Sequence, residues 1–136
     1  MSIMITENQI IDAVADYLET EGWTIKQKLT TSQPGFDIIA NKNGLLYYIE
    51  AKGGTSSKNT SARFGLPFNS AQAKSHIGQA LWKTGEALTQ NPSAKYGIAL
   101  PDEPCHRTSI EKIASMIKLC GITIFWVGVD LKTRCL

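Results

Sequence analysis

Two carboxylates and a lysine are the residues best placed to do chemistry. Asp37 and Glu50 stand with twelve residues between them, and Lys52 follows Glu50 by two. Midway lies Asn43-Gly44, a pair that tolerates the positive φ of a type I′ turn and is the strongest short-range hairpin signal. A two-residue loop there pairs Lys42 with Leu45 and every later pair at positions that sum to 87, so Asp37 falls opposite Glu50. Directly opposed residues share a sheet face, with Cβ atoms roughly 4.5 to 5.5 Å apart, where like charges repel unless a cation stands between them. Lys52 points to the same face by strand alternation. A divalent cation resolves the conflict, because two carboxylates supply hard oxygen ligands and leave positions for water and a phosphate oxygen. Lys52 would then orient or deprotonate an attacking water, or offset charge on the phosphorane: metal-assisted phosphodiester hydrolysis. A surface cluster of ion pairs at a sheet end uses the same residue types, and spacing alone leaves it open.

The elements that must position these groups can be read around them. Thr6-x-x-Gln9 is a capping box for a first helix, with Ile5 available to staple onto Ile10 and Gly22 marking the end. At 100° per residue, Ile11, Val14 and Leu18 fall within about 40° of Glu7, whereas Asp12, Asp16 and Glu19 project to the far face. Trp23 to Leu29 alternates as a strand, and Phe36 to Lys42 and Leu45 to Lys52 form the hairpin. Ser70 to Gln90 is a helix opened by Asn69 or Ser70, with Ala73, Ile77, Leu81 and Leu88 as its apolar stripe and Asn91-Pro92 as its stop. Lys95 to Leu100 is a strand, Ser109 to Cys120 a helix stopped by Gly121, and Ile122 to Val129 a nearly continuous apolar strand suited to a sheet interior. Trp82 and Trp126 are expected in the core. The order α-β-β-β-α-β-α-β implies one α/β domain over residues 1–136, a mixed sheet with helices packed on it.

Pro34-Gly35-Phe36-Asp37, followed after twelve residues by Glu50-Ala51-Lys52, resembles the PD-(D/E)xK signature of the restriction-endonuclease-like nuclease superfamily. The αβββαβ order is also that family's core, so the resemblance covers roughly Glu7 to Leu100. It departs in one place, PGFD standing where a strict PD would. The resemblance implies Asp37 and Glu50 as metal ligands, the Ala51 backbone carbonyl as a further ligand, Lys52 as the residue that assists water, and Mg²⁺ as cofactor with Mn²⁺ able to substitute. Members similar to archaeal Holliday-junction resolvases also use a glutamate at the start of the first helix, which maps to Glu7. A first-turn acid complementing the helix dipole is the plain alternative there. A Gln in the helix after the motif reaches the site in many members, and Gln79 is the matching candidate. With Gln72, His76 and Lys83 it forms a polar stripe that a solvated helix face would explain equally well.

Charge separates along the chain. Of 136 residues carrying a net +2, the first 21 hold five acids (Glu7, Asp12, Asp16, Glu19, Glu21) and no Lys or Arg. From Asn41 to Lys83 there are six bases against Glu50 alone. That asymmetry permits a polyanionic partner. Lys58 and Arg63 in the Gly53 to Asn69 loop, with Lys74 and Lys83 on the helix that follows, are the candidate phosphate contacts, DNA being favoured over RNA. The loop would otherwise serve only as a solubilising connection. Three widely spaced cysteines, Cys105, Cys120 and Cys135, form no CxxC pair and are expected as reduced thiols. His76 and His106 lack a matching ligand or nucleophile set and read as ordinary surface or cap histidines. No apolar run reaches the roughly 18 to 20 residues of a membrane span, and the first ten residues lack a signal peptide's features, so a cytoplasmic location is expected.

A composition of 43% hydrophobic and 19% charged residues excludes a disordered chain. Two functions remain on the sequence: a divalent-metal-dependent DNA endonuclease, with a homodimer as one way to cut two strands, and a non-catalytic module using the same fold to bind nucleic acid or protein.

Overall fold

The computed structural model describes residues 5–29, 35–53 and 69–135. Helix α1 (Glu7–Thr20) starts at the expected capping box, the Thr6 hydroxyl accepting from the Gln9 N–H while the Gln9 side chain returns to Thr6. It buries Ile10, Ile11, Val14, Ala15 and Leu18, the larger side chains other than Ala15 each contributing on the order of 1.5 to 3 kcal/mol. Strand β1 (Thr24–Lys28) leads into the hairpin of β2 (Ile38–Lys42) and β3 (Leu45–Ala51). Asn43 and Gly44 have φ of 52° and 85°, and the register runs from Lys42 opposite Leu45 to Ile38 opposite Ile49, as the turn chemistry requires.

Helix α2 (Ser70–Gln90) is closed at its start by a second capping box, Asn69 with Gln72. Its buried positions are Ala73, Ile77, Ala80 and Thr84, so Leu81 and Leu88 of the expected stripe lie at its half-buried margins. Strand β4 (Lys95–Pro101) follows, then two helices where one was expected: α3 (Pro104–Glu111) and α4 (Ala114–Leu119). Glu103 opens α3 early, its carboxylate accepting from the Cys105 and His106 N–H groups with Pro104 in the first turn. Ile113, at φ −124° and ψ 17°, breaks the periodic run before α4. Strand β5 (Ile122–Val127) is buried, and an unexpected short strand β6 (Thr133–Cys135) covers it.

Among the described residues six strands lie in chain order. β1, β2 and β3 are antiparallel neighbours, β3, β4 and β5 run parallel, and β6 returns antiparallel. Alternation divides the core in two. Ile38, Ala40, Tyr47, Ile49 and Ala51 face α1, whereas Ile98, Leu100, Ile122, Ile124 and Trp126 pack with Ile77 and Ala80 of α2, Ile110 and Ile117. Trp126 is buried as expected. Trp82 is not: it is 74% exposed, because it projects from α2 away from the stripe that meets the sheet. The three cysteines are free thiols.

Candidate functional site

The hairpin register puts Asp37 opposite Glu50 at the end of the ladder, one step beyond Ile38 and Ile49. Both carboxylates are nearly closed off from solvent, at 6% and 7% exposure. Asp37 is held at both ends: its carbonyl accepts from the Leu29 N–H at 2.8 Å, extending the β1 pairing, and its Oδ2 accepts from the Ala51 N–H at 2.8 Å. Glu50 is fixed on the other side by pairing of β3 with β4, which continues through the Lys52 N–H to the Ala99 carbonyl at 3.0 Å. The strand alternation that sends Ile49 and Ala51 toward α1 sends Glu50 and Lys52 toward α2.

Glu7 enters from the other layer. A Cβ built on Gly53 would stand 2.5 Å from the Glu7 backbone nitrogen, so only glycine lets the chain after Lys52 press against the first turn of α1. That contact brings Glu7 into the electrostatic field of Lys52, Glu50 and Lys83. Burial, opposed by Lys52, raises its carboxyl to about 7. Burial, then repulsion from Glu50, pushes Asp37 up to about 8, even though the Ala51 N–H favours its charged form.

Lys83, expected at a nucleic-acid surface, lies inside the cluster. From α2 its Nζ donates to Glu50 Oε1 at 2.9 Å and to the Gly35 carbonyl, and it stands 5.0 Å from the centre of the Phe36 ring. Aromatic packing seats the helix for this. Phe36 packs on Tyr48, Tyr48 stacks on Tyr96, and the Tyr96 hydroxyl lies 2.9 and 2.7 Å from the Ala87 and Asn91 carbonyls at the end of α2. The signal for Lys83 in the sequence was the polar stripe with His76. The His76 imidazole is held below its usual pKa first by burial and then by Lys52 and His106, which places it at the same end of the sheet.

The remaining candidates fall elsewhere. Gln79 is exposed, one turn before Lys83. Lys74 lines a separate cavity of about 480 Å³ between α2 and α3, with Ile77, Leu81, Cys105 and Lys112, and is not among the groups acting on the carboxylates. Pro34, Lys58 and Arg63 lie outside the described residues. His106 is neither a surface nor a cap histidine: it is 1% exposed, with Nδ1 against the Glu103 carboxylate that caps α3.

The donor set suits a hard divalent ion. Asp37 and Glu50 offer adjacent carboxylate oxygens, and the upward pressure on Asp37 and Glu7 is what a cation would relieve. Among the described residues no three His, Cys, Asp or Glu side chains are grouped to hold a metal by themselves, so backbone, water or substrate oxygens would complete the sphere, as is usual for Mg²⁺.

No protein-family model matches the chain, and no curated protein sequence matches it. Its fold is similar to that of an XisH family protein from Nostoc punctiforme, at 19% identity and a TM-score of 0.53, over 93% of this chain and 96% of that one. An fdxN element excision controlling factor protein from Anabaena variabilis is similar at 18% identity, with the same TM-score and coverage. The likeness spans nearly the whole of each chain and is one of architecture, the restriction-endonuclease-like arrangement of a mixed sheet between helical layers. No helix among the described residues is long and apolar enough to cross a membrane.

Proposed function

We propose that the protein is a divalent-metal-dependent nuclease that hydrolyses DNA phosphodiester bonds, acting as an endonuclease. The observation that carries this reading is the pair Asp37 and Glu50, buried side by side, Asp37 held by the Ala51 N–H, with Lys83 on Glu50 and Lys52 nearby. Such an arrangement is unfavourable for folding, and its value lies in binding a cation. Asp37 and Glu50 would hold Mg²⁺ or Mn²⁺, the Ala51 backbone standing beside them, and the ion would polarise a phosphoryl oxygen of the substrate. Lys52 sits two positions from Glu50 on the same face, placed to orient the attacking water or to offset charge developing on the phosphorane. Glu7, brought from α1 into the field of Lys52 and Glu50, is the candidate to accept the proton of that water. DNA is the favoured substrate, with Lys58 and Arg63 as phosphate contacts, and a homodimer would serve double-strand cutting.

The test is a panel of supercoiled, linear, single-stranded and branched DNA plus RNA, incubated with Mg²⁺ or Mn²⁺. Metal-dependent cleavage of DNA is expected, lost in Asp37→Ala and Lys52→Ala while circular dichroism stays unchanged. Equal cleavage by clean preparations of both variants would overturn the assignment.

One observation favours a second reading, a non-catalytic module. Lys83 already neutralises Glu50, so the cluster can persist as an ion pair, and one of the fold neighbours is named as an excision controlling factor rather than as an enzyme. Calorimetric titration separates the two: heat of Mg²⁺ or Mn²⁺ binding that disappears in Asp37→Asn supports the nuclease, and no heat in the wild type supports the module.

A further inference from the structure

We propose that Lys83 is the resident counter-cation of the carboxylate pair, and that a divalent ion binds by displacing its ammonium group from Glu50. The inference rests on the metal-dependent reading above and specifies how that site is regulated. Glu50 has one strong charged partner among the described residues, the Lys83 Nζ at 2.9 Å, and the Glu50 side chain is only 9% exposed. A divalent ion bridging Asp37 and Glu50 needs that oxygen edge. An ammonium at hydrogen-bond distance and a doubly charged ion would repel across the same few ångströms.

Lys83 can leave the carboxylates without moving the backbone. Lys83 arrives from α2 on a flexible four-carbon stem, its side chain 35% exposed, so its head can move to solvent or to a substrate phosphate without disturbing the sheet. Its second contact, the Gly35 carbonyl, lies two residues before Asp37. In the bound position Lys83 therefore spans β3 and the entry to β2, holding the carboxylates in place for the ion that replaces it. The ammonium and the ion compete for one edge, so each lowers the other's affinity for it by the same factor.

The experiment measures Mg²⁺ and Mn²⁺ affinity by calorimetry, with no substrate present, for the wild type, Lys83→Met, Lys83→Gln and Lys83→Arg. Removing the competitor should tighten binding about tenfold in the Met and Gln variants, within the range of roughly 5 to 150 usual for such coupling, while Arg keeps the competition and stays near the wild-type value. A purely structural Lys83 would give the opposite sign, because loosening the pair weakens an ion. In parallel, acylation of Lys83 by an amine-reactive reagent, read by peptide mass, should rise when Mg²⁺ is added to the wild type. Metal binding that is unchanged or weaker in both neutral variants overturns the exchange and leaves the metal site standing. Absence of binding in all four proteins overturns the metal site itself, and the exchange with it. If Lys83→Met fails to fold by circular dichroism, Lys83→Gln and the labelling decide.

Discussion

The neighbouring parallel strands β3 and β4 each end in acids, and the two ends are built on opposite principles. After β4, Asp102 takes a two-pronged bond from Arg107, Nε at 2.7 Å and Nη2 at 3.0 Å, and that guanidinium lies 4.2 Å from the Trp126 ring centre. Its carboxyl is held below the ordinary range, chiefly by the Arg107 hydrogen bonds. At the end of β3, Asp37 and Glu50 face each other with Glu7 close by, and burial and mutual repulsion drive Asp37 and Glu7 upward. The first arrangement satisfies its charge internally and favours the fold. The second pairs Glu50 with Lys83 but leaves Asp37 and Glu7 crowded beside it at raised pKa, a tension that a further cation would relieve.

The sharpest way to break this contrast is to remove one member of the crowded carboxylate set. Asp37→Asn should lower metal-dependent cleavage by roughly 10³-fold, about 4 kcal/mol of transition-state stabilisation, in single-turnover assays with the melting temperature maintained or raised. Activity within a few-fold of the wild type would equate the two strand ends.

Next in size is the contact that brings α1 to the site. Gly53→Ala forces a methyl group into the Glu7 backbone and should cost about 1 to 3 kcal/mol in urea unfolding, with loss of activity beyond what stability explains. A silent substitution would detach Glu7 from the site.

The two ends should also answer pH with opposite signs. Asp37, raised from 3.8 to about 8, and Glu7, raised from 4.5 to about 7, bind more protons folded than unfolded, so without metal they make the protein less stable as pH climbs through that window. Asp102, lowered from 3.8, stabilises above that value and loses its contribution as pH falls through its depressed folded value. Denaturation across pH 3 to 9 in EDTA should show a decline toward the alkaline side that flattens in Asp37→Asn. An undiminished decline would mean that other groups cause it.

The smallest effect belongs to the paired end. Arg107→Ala should cost about 1 kcal/mol or less, since the guanidinium is partly exposed, and should leave Mg²⁺ affinity unchanged. A change in metal binding there would show that the two strand ends communicate.

What the sequence revealed followed from short-range chemistry. Asn43-Gly44 dictates the register that sets Asp37 against Glu50, and Thr6-x-x-Gln9 locates the helix that carries Glu7. Lys83 was visible as part of a polar stripe and as a phosphate contact, not as the partner of Glu50, because that role depends on which face of α2 meets the sheet, a long-range matter settled by Tyr96 and Phe36. Gly53 gave no signal, since a close backbone approach leaves no mark on spacing. The division into α3 and α4 was partly legible: Glu103-Pro104 is a helix start, but the apolar periodicity from Ser109 onward masked the break at Ile113. Strand β6 has three residues and no apolar run, so it exists by pairing with β5 and not by its own pattern.

The exposure of Trp82 gives the protein an optical reporter of its own. Its indole stands in solvent beside Lys83 in the sequence, whereas Trp126 is sealed under Arg107 and Trp23 is half-buried between Lys42 and Lys95. A collisional quencher such as acrylamide therefore samples Trp82 ahead of the other two. With Trp23 and Trp126 changed to phenylalanine, emission from α2 alone could be followed as metal or DNA is added, in real time and without attaching a dye.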